Sequence, residues 1–417
     1  MELLIYLILF LLVLIVSSTT NKLLPFLPLP LVQILLGIVI GLFLPNTDFH
    51  LNTELFLALV IGPLLFRESE EADITAILKH WRIIIYLIFP VIFISTLSLG
   101  ALAHLLWLSL PLAACLAVGA ALGPTDLVAF ASLSERFSFP KRVSNILKGE
   151  GLLNDASGLV AFQVALTAWT TGAFSLGQAG SSLIFSILGG FLIGFLTAMT
   201  NRFLHSFLLS VRATDIASEL LLELSLPLVT FFLAEEVHVS GIIAVVVAGI
   251  LKASRFKKIT LLEAQVDTVT ETVWHTVNFM LNGSVFVILG MELEMIAEPI
   301  LTNPIYNPLL LLLSLVALTF VLFAIRFVMI YGYYAYRTRR LKKKLNKYMK
   351  DMLLLTFSGV KGTVSIATIL LIPSNLEQEY PLLLFLVAGV TLVSFLTGLL
   401  VLPHFSDEQE ESKDYLM

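Results

Sequence analysis

The sequence predicts an all-α polytopic membrane protein, and three observations carry that expectation. Apolar residues make up 58% of the 417 and charged residues only 13%, with a mean hydropathy of +0.95. The apolar residues gather in stretches long enough to cross a hydrocarbon core of about 30 Å as helix. The cations lie between those stretches, mostly on alternate sides of them. With 25 Lys and Arg against 30 Asp and Glu, the net charge of −5 offers no basic excess for nucleic acid.

In chain order, spans fall near residues 3–19, 24–44, 52–66, 83–107, 111–133, 145–170, 180–201, 214–234, 239–254, 270–297, 307–335, 351–373 and 380–403. The first opens on Met1-Glu2-Leu3-Leu4, an acid where a signal peptide carries basic residues, and reads as a membrane span. The third is short enough to be tilted or re-entrant. About 13 helices result. With the N-terminus outside, 23 of the 25 Lys and Arg fall in loops on the cytoplasmic side or at the span ends that border them, leaving only Arg326 and Lys361 deep inside predicted spans. The expected location is the cell membrane, with the N-terminus outside and the C-terminus cytoplasmic. Residues 1–403 then form a single membrane transport domain, and 404–417 a short acidic cytoplasmic tail polar enough to be disordered. The basic run Arg337–Lys350 reads as a cytoplasmic anchor, with anionic lipid binding as the sharper alternative. Cys115 is the single cysteine, so neither a disulfide framework nor a Cys-based metal site is expected.

Two spans are interrupted. In the fifth, Gly119-Ala120-Ala121-Leu122-Gly123-Pro124-Thr125-Asp126 combines glycine, proline and a charge, and Pro124 removes a backbone donor and disfavours helix at Gly123. In the twelfth, Ser358-Gly359-Val360-Lys361-Gly362-Thr363 places two glycines around a cation. Seven helices apart, the two enter from opposite sides, as an inverted repeat of two discontinuous crossing helices requires. Half-helix ends meeting there leave opposed dipoles, and Asp126 and Lys361 are placed to offset them. Between the breaks in sequence, Glu150-Gly151-Leu152-Leu153-Asn154-Asp155 sets Asp155 roughly 15 Å into the bilayer at ~1.5 Å per residue. An ionisable group at that depth is a functional candidate.

These residues resemble the monovalent cation:proton antiporters of the CPA1 group, the NhaP-type sodium/proton exchangers. The resemblance runs through Pro30–Gly37, Gly62–Phe66, Thr125-Asp126, Glu150 to Asp155, Ser240–Gly249, Trp274 to Gly290, Arg326 and Val360-Lys361-Gly362. Its most specific part is the Thr-Asp break followed about thirty residues on by Asn-Asp. It implies the NhaA/NhaP-like fold and a homodimer cycling by elevator-like alternating access. Core helices would lie at approximately 83–170 and 307–403, with dimerisation or scaffold helices in the remainder. By position, Asp155 would bind the cation or the proton, Asp126 and Thr125 would complete the monovalent cation site, and Glu150 and Arg326 would form a structural ion pair. Asn154 would stand where electrogenic relatives carry a second Asp, implying electroneutral exchange. The sequence departs from the pattern at Leu127, Gly151, Arg67 and Lys361, which leaves the coordination shell open.

Na⁺ and Li⁺ are hard cations that want oxygen ligands, which Asp155, Asp126, Thr125 and Asn154 offer. A single carboxylate holding either H⁺ or a cation couples the two fluxes. The expected function is therefore exchange of Na⁺, Li⁺ or K⁺ for H⁺, with no enzyme activity and no cofactor. A cation-selective channel or a cation-coupled carrier of an organic solute is the alternative. Glu219 and Glu223, four apart near the cytoplasmic end of their helix, read as interfacial or funnel-lining. No hydrolase motif lies in a span, and no phosphate-binding loop supports an ATP-driven pump.

Overall fold

The computed structural model describes residues 2–24, 29–43, 53–126, 129–130, 137–172, 176–211, 215–253, 261–302, 306–340, 345–369, 371–372, 379–405 and 407–408. Almost all of these are helical. The α-helices of six residues or more are, in order, α1 (Glu2–Leu23), α2 (Leu29–Phe43), α3 (Gly62–Glu71), α4 (Ile74–Lys79), α5 (Trp81–Tyr86), α6 (Ile92–Leu106), α7 (Leu112–Ala121) and α8 (Lys141–Thr171). They continue as α9 (Leu176–Ser210), α10 (Ile216–Glu236), α11 (Gly241–Ala253), α12 (Leu261–Thr302), α13 (Pro308–Arg340), α14 (Met349–Phe357), α15 (Thr363–Ile369) and α16 (Tyr380–Val401). Helix lies in every apolar stretch of the sequence. By length and composition, six helical stretches among the described residues can cross a membrane: Trp81–Leu106, Ile184–Ser210, Ile216–Glu236, Thr268–Glu294, Pro308–Arg340 and Tyr380–His404.

Local chemistry sets the ends of several helices. Pro140 precedes α8, and Gly172 closes it at φ 66°, donating its N–H to the Ala168 carbonyl at 3.1 Å. That left-handed conformation costs glycine nothing. α10 opens with a capping box, Asp215 Oδ1 accepting the Ser218 N–H at 2.8 Å while Ser218 Oγ accepts the Asp215 N–H at 3.3 Å. Between α5 and α6 the chain passes through a π-helical turn, Leu87–Val91, that contains Pro90. Proline supplies no N–H to the ladder, so the turn widens and frees carbonyls there.

The chain divides into two compact units. The first comprises Met1–Thr19, Asn46–Ile74 and Phe174–Ile288; the second comprises Thr20–Pro45, Thr75–Ala173 and Leu289–Met417. In the second, α7 lies deep in a hydrophobic cluster with Leu99 of α6, Leu318 of α13 and Leu386 of α16. A Cβ on Gly119 would strike the Thr96 carbonyl, so α6 and α7 meet backbone to backbone. Large apolar side chains such as Phe89, Phe93 and Phe320 are 60–72% exposed on outward faces, a surface suited to lipid.

Two residues of the tail depart from the disorder its composition suggests. Asp407–Glu408 pairs antiparallel with Phe137–Ser138, Phe137 opposite Glu408. A short extended segment has backbone groups that seek partners, and the extended pair before Pro140 provides them. Residues 409–417 lie outside the described residues.

Candidate functional site

The site is built in the second unit, where both interrupted spans break. α7 ends at Ala121 with Leu122 as its C-cap, Ala129 and Phe130 are helical again, and Asp126 Oδ1 accepts the Ala129 N–H at 2.9 Å. Asp126 thus caps the second half of the broken span. The other interrupted span breaks between α14 and α15, over Ser358–Gly362. The breaks are joined directly, the Asp126 N–H donating to the Val360 carbonyl at 3.1 Å.

Charge follows the helix ends. Lys361 Nζ donates to the Gly123 carbonyl at 2.8 Å and the Pro124 carbonyl at 2.5 Å, just past α7 and at the negative end of its dipole. Its own N–H donates to Ser394 Oγ of α16 at 3.1 Å. A Cβ on Gly362 would fall on the Asp126 carboxylate, so that carboxylate lies against the first turn of α15, the positive end of a dipole. Lys361 and Asp126 are 1% and 4% exposed, and each stands where the backbone offers the opposite partial charge.

A second buried string runs alongside. Arg326 Nη1 and Nη2 donate to Glu150 Oε1 and Oε2 at 2.6 and 2.8 Å, a two-pronged pair, and Arg326 Nε donates to the Leu355 carbonyl at 3.0 Å. A Cβ on Gly359 would fall on the guanidinium, so only glycine leaves room there. Thr125 Oγ1 donates to Glu150 Oε1 at 3.2 Å and accepts from Asn154 Nδ2 at 2.7 Å. Asn154 Nδ2 also donates to the Thr125 carbonyl at 3.1 Å. That carbonyl can only accept, which settles the amide orientation: the nitrogen faces Thr125. Asn154 Oδ1 is left buried without a hydrogen-bond partner among the described residues.

Asp155 follows Asn154 in α8, and its side chain lies outside the described residues, as does Leu127. Its helical turn is seated against the break: a Cβ on Gly158 would fall on the Pro124 ring. Ser157 Oγ in the same turn donates to the Asn154 carbonyl at 2.7 Å and lies 3.3 Å from the Ile88 carbonyl of the π turn. Sequence reasoning passed over Ser157, Ser394 and that turn, although Pro90 inside a span was a visible signal. In the first unit, Glu223 accepts from Trp274 Nε1 at 3.1 Å and pairs with Lys252 at 2.8 Å, while Glu219 pairs with His205 at 2.6 Å. Arg67 pairs with Glu70 at 3.0 Å and Glu71 at 2.7 Å. Glu219 and Glu223 thus hold neighbouring helices of their unit together, whereas Arg67 is held by acids of its own helix.

Helices broken around buried, mutually compensated charges are an arrangement found in secondary transporters built on interrupted spans. The chain belongs to the sodium/hydrogen exchanger family, whose transmembrane model matches residues 7–405. It is 35% identical over 412 residues to a "Sodium, potassium, lithium and rubidium/H(+) antiporter" of Bacillus pumilus, covering 97% of this chain and 61% of the relative. A protein of the same description from Bacillus subtilis is 36% identical over 396 residues, covering 93% of this chain and 59% of the relative. The chain thus spans about 60% of the length of these two curated relatives. It is also 31% identical to the "Uncharacterized Na(+)/H(+) exchanger YjcE" of Escherichia coli, covering 97% of this chain and 76% of that one. The fold matches that of the sodium proton antiporter MjNhaP1 from Methanocaldococcus jannaschii, with a TM-score of 0.66 at 20% identity over 96% of this chain and 95% of that one.

Proposed function

We propose that this chain exchanges a monovalent cation for protons across the cell membrane, the two competing for Asp155. The observation that carries the reading is the buried crossing itself. Lys361 closes the end of one broken helix, Glu150 is engaged by Arg326, and Asp126 caps a helix through Oδ1. The exchanging carboxylate is then Asp155, next in sequence to Asn154, whose Oδ1 has no hydrogen-bond partner among the described residues. Asp126 and Thr125 complete the cation's oxygen shell, each Thr125 oxygen keeping lone-pair capacity beyond the bonds it makes. Exchange is electroneutral, because Asn154 brings no second charge to the carrier. The relatives named for sodium, potassium, lithium and rubidium make all four the ions to compare. The chain crosses the membrane about thirteen times, N-terminus outside and C-terminus cytoplasmic, and works as a homodimer by elevator-like motion of the unit holding the crossing.

In proteoliposomes with voltage clamped, an external pulse of Na⁺ or K⁺ should move protons in the wild type. Asp155→Asn should abolish that movement. Proton movement that survives in Asp155→Asn would remove the carboxylate from the mechanism. Cation flux with no counter-flow of protons would favour a channel.

A further inference from the structure

Away from the crossing, one end of the second unit gathers basic side chains from three separate parts of the chain. Lys79 closes α4, His80 links it to α5, and Arg82 lies in the first turn of α5. Arg142, in the first turn of α8, donates from Nη2 to the Tyr334 hydroxyl at 3.2 Å. Its guanidinium also stacks over Tyr334 and Tyr348, 5.4 and 5.2 Å from the ring centroids. Arg337 stands one turn beyond Tyr334 on α13. Neutral packing brings these elements together. The Tyr86 hydroxyl of α5 donates to the Met329 carbonyl of α13 at 3.2 Å, and its ring meets Tyr333 at 5.1 Å.

Held by that packing, the cations crowd one another. Burial, then Arg142, Arg337 and Lys79 in that order, hold the His80 imidazole below its ordinary pKa. Asp351 answers Arg142 at 3.5 Å, while Lys79, Arg82 and Arg337 are exposed. Like charges gathered around one imidazole create a potential that an anion relieves.

A second, independent feature says where that anion comes from. Trp81 is 50% exposed, with the Arg82 guanidinium over its ring at 5.5 Å. The following turns of the same span present Ile85 and Phe89 outward, 45% and 60% exposed. Tryptophan marks the level of lipid headgroups, and apolar side chains above it face acyl chains. Charge and apolar face therefore meet on a single helix.

The geometry points to Lys79, His80, Arg82, Arg142 and Arg337 as a binding site for the phosphate of an anionic phospholipid whose acyl chains lie along Ile85 and Phe89. The site also bears on the crossing. A Cβ on Gly149 would stand 2.6 Å from Ile84 and 3.0 Å from Ile77, so α4 and α5 both rest on α8 one residue before Glu150. A headgroup that ties α4, α5, α8 and α13 together fixes the approach to the buried ion pair.

Thermal unfolding of the purified full chain in mild detergent tests this, with phosphatidylglycerol or phosphatidylcholine of equal chain length added. Phosphatidylglycerol should raise the midpoint more than phosphatidylcholine does. Arg82→Gln with Arg337→Gln should erase the difference, whereas Arg202→Gln, an exposed arginine in the first unit, should keep it. Equal effects of the two lipids, or an undiminished difference in the double variant, would overturn the site. Inorganic phosphate that reproduced the shift would overturn the lipid assignment. Should the double variant fail to fold, NMR titration of His80 in wild-type nanodiscs decides. Its pKa should be higher in phosphatidylglycerol-containing discs than in pure phosphatidylcholine, and no difference would end the proposal.

Discussion

Lys361 Nζ sits 2.5 Å from the Pro124 carbonyl, so a cation from one broken helix closes the end of the other. The contact spans two breaks 237 residues apart in sequence and is fully buried. Lys361→Met should leave the Gly123 and Pro124 carbonyls without this donor at a cost of about 1–3 kcal/mol for each group left unsatisfied. Thermal unfolding in detergent should show a lowered midpoint, and Lys361→Arg, which keeps charge and donors, should recover part of it. A Lys361→Met protein as stable as wild type would deprive the contact of its structural weight.

The Glu150–Arg326 pair should behave as a unit. Either Glu150→Gln or Arg326→Met alone strands a buried partner and should cost about 3–5 kcal/mol. Replacing both with apolar residues should cost less than the sum of the single changes. A double-mutant cycle on unfolding midpoints checks this, and strict additivity would mean that the two side chains do not depend on each other. Gly359→Ala should resemble the Arg326 variant, since the added methyl falls on a guanidinium already pinned on three sides.

Asn154→Asp isolates the role of the amide. Aspartate cannot donate as the carboxylate, so it would face the Thr125 carbonyl acceptor to acceptor, a loss of about 1–3 kcal/mol. A lower unfolding midpoint than wild type at neutral pH is expected. Equal stability would show that the amide donor contributes nothing to holding Thr125.

His80 supplies a pH dependence whose sign follows from its neighbours. Burial, then Arg142, Arg337 and Lys79, lower its pKa in the folded chain below the ordinary 6.5. Folding therefore disfavours the protonated ring. The stability tied to neutral His80 is fully present above the unfolded value and is lost as pH falls through the depressed folded one. Unfolding midpoints taken from pH 7.5 down to pH 5 should drop less in His80→Gln than in wild type. Identical pH profiles would count against any such linkage.

The class of fold was legible because length, hydropathy and the placement of cations all constrain helices in lipid and leave few alternatives. The breaks were legible as well, since Pro124 and the pair Gly359 and Gly362 have backbone consequences wherever they sit. What could not be read were contacts decided by how helices face one another. Nothing local in Thr125 says that its hydroxyl bridges Asn154 and Glu150, and nothing in Ser394 says that it receives the Lys361 N–H from 33 residues away. The commitments of Arg67 and Glu223 within their own unit were hidden for the same reason. The pairing of Asp407–Glu408 with Phe137–Ser138 escaped because an acidic segment looks solvated until an extended partner is known.

Competition for Asp155 is the central claim, and the pH dependence of the apparent cation affinity tests it most directly. Exchange would be measured in proteoliposomes as a function of Na⁺ or K⁺ concentration at a series of pH values. Below the pH at which the site binds a proton, the concentration giving half-maximal exchange should rise about tenfold per pH unit, as one proton displacing one cation requires, while the rate at saturating cation stays constant. A half-maximal concentration that does not move with pH, accompanied by a falling maximal rate, would mean that proton and cation occupy different groups and would contradict the account.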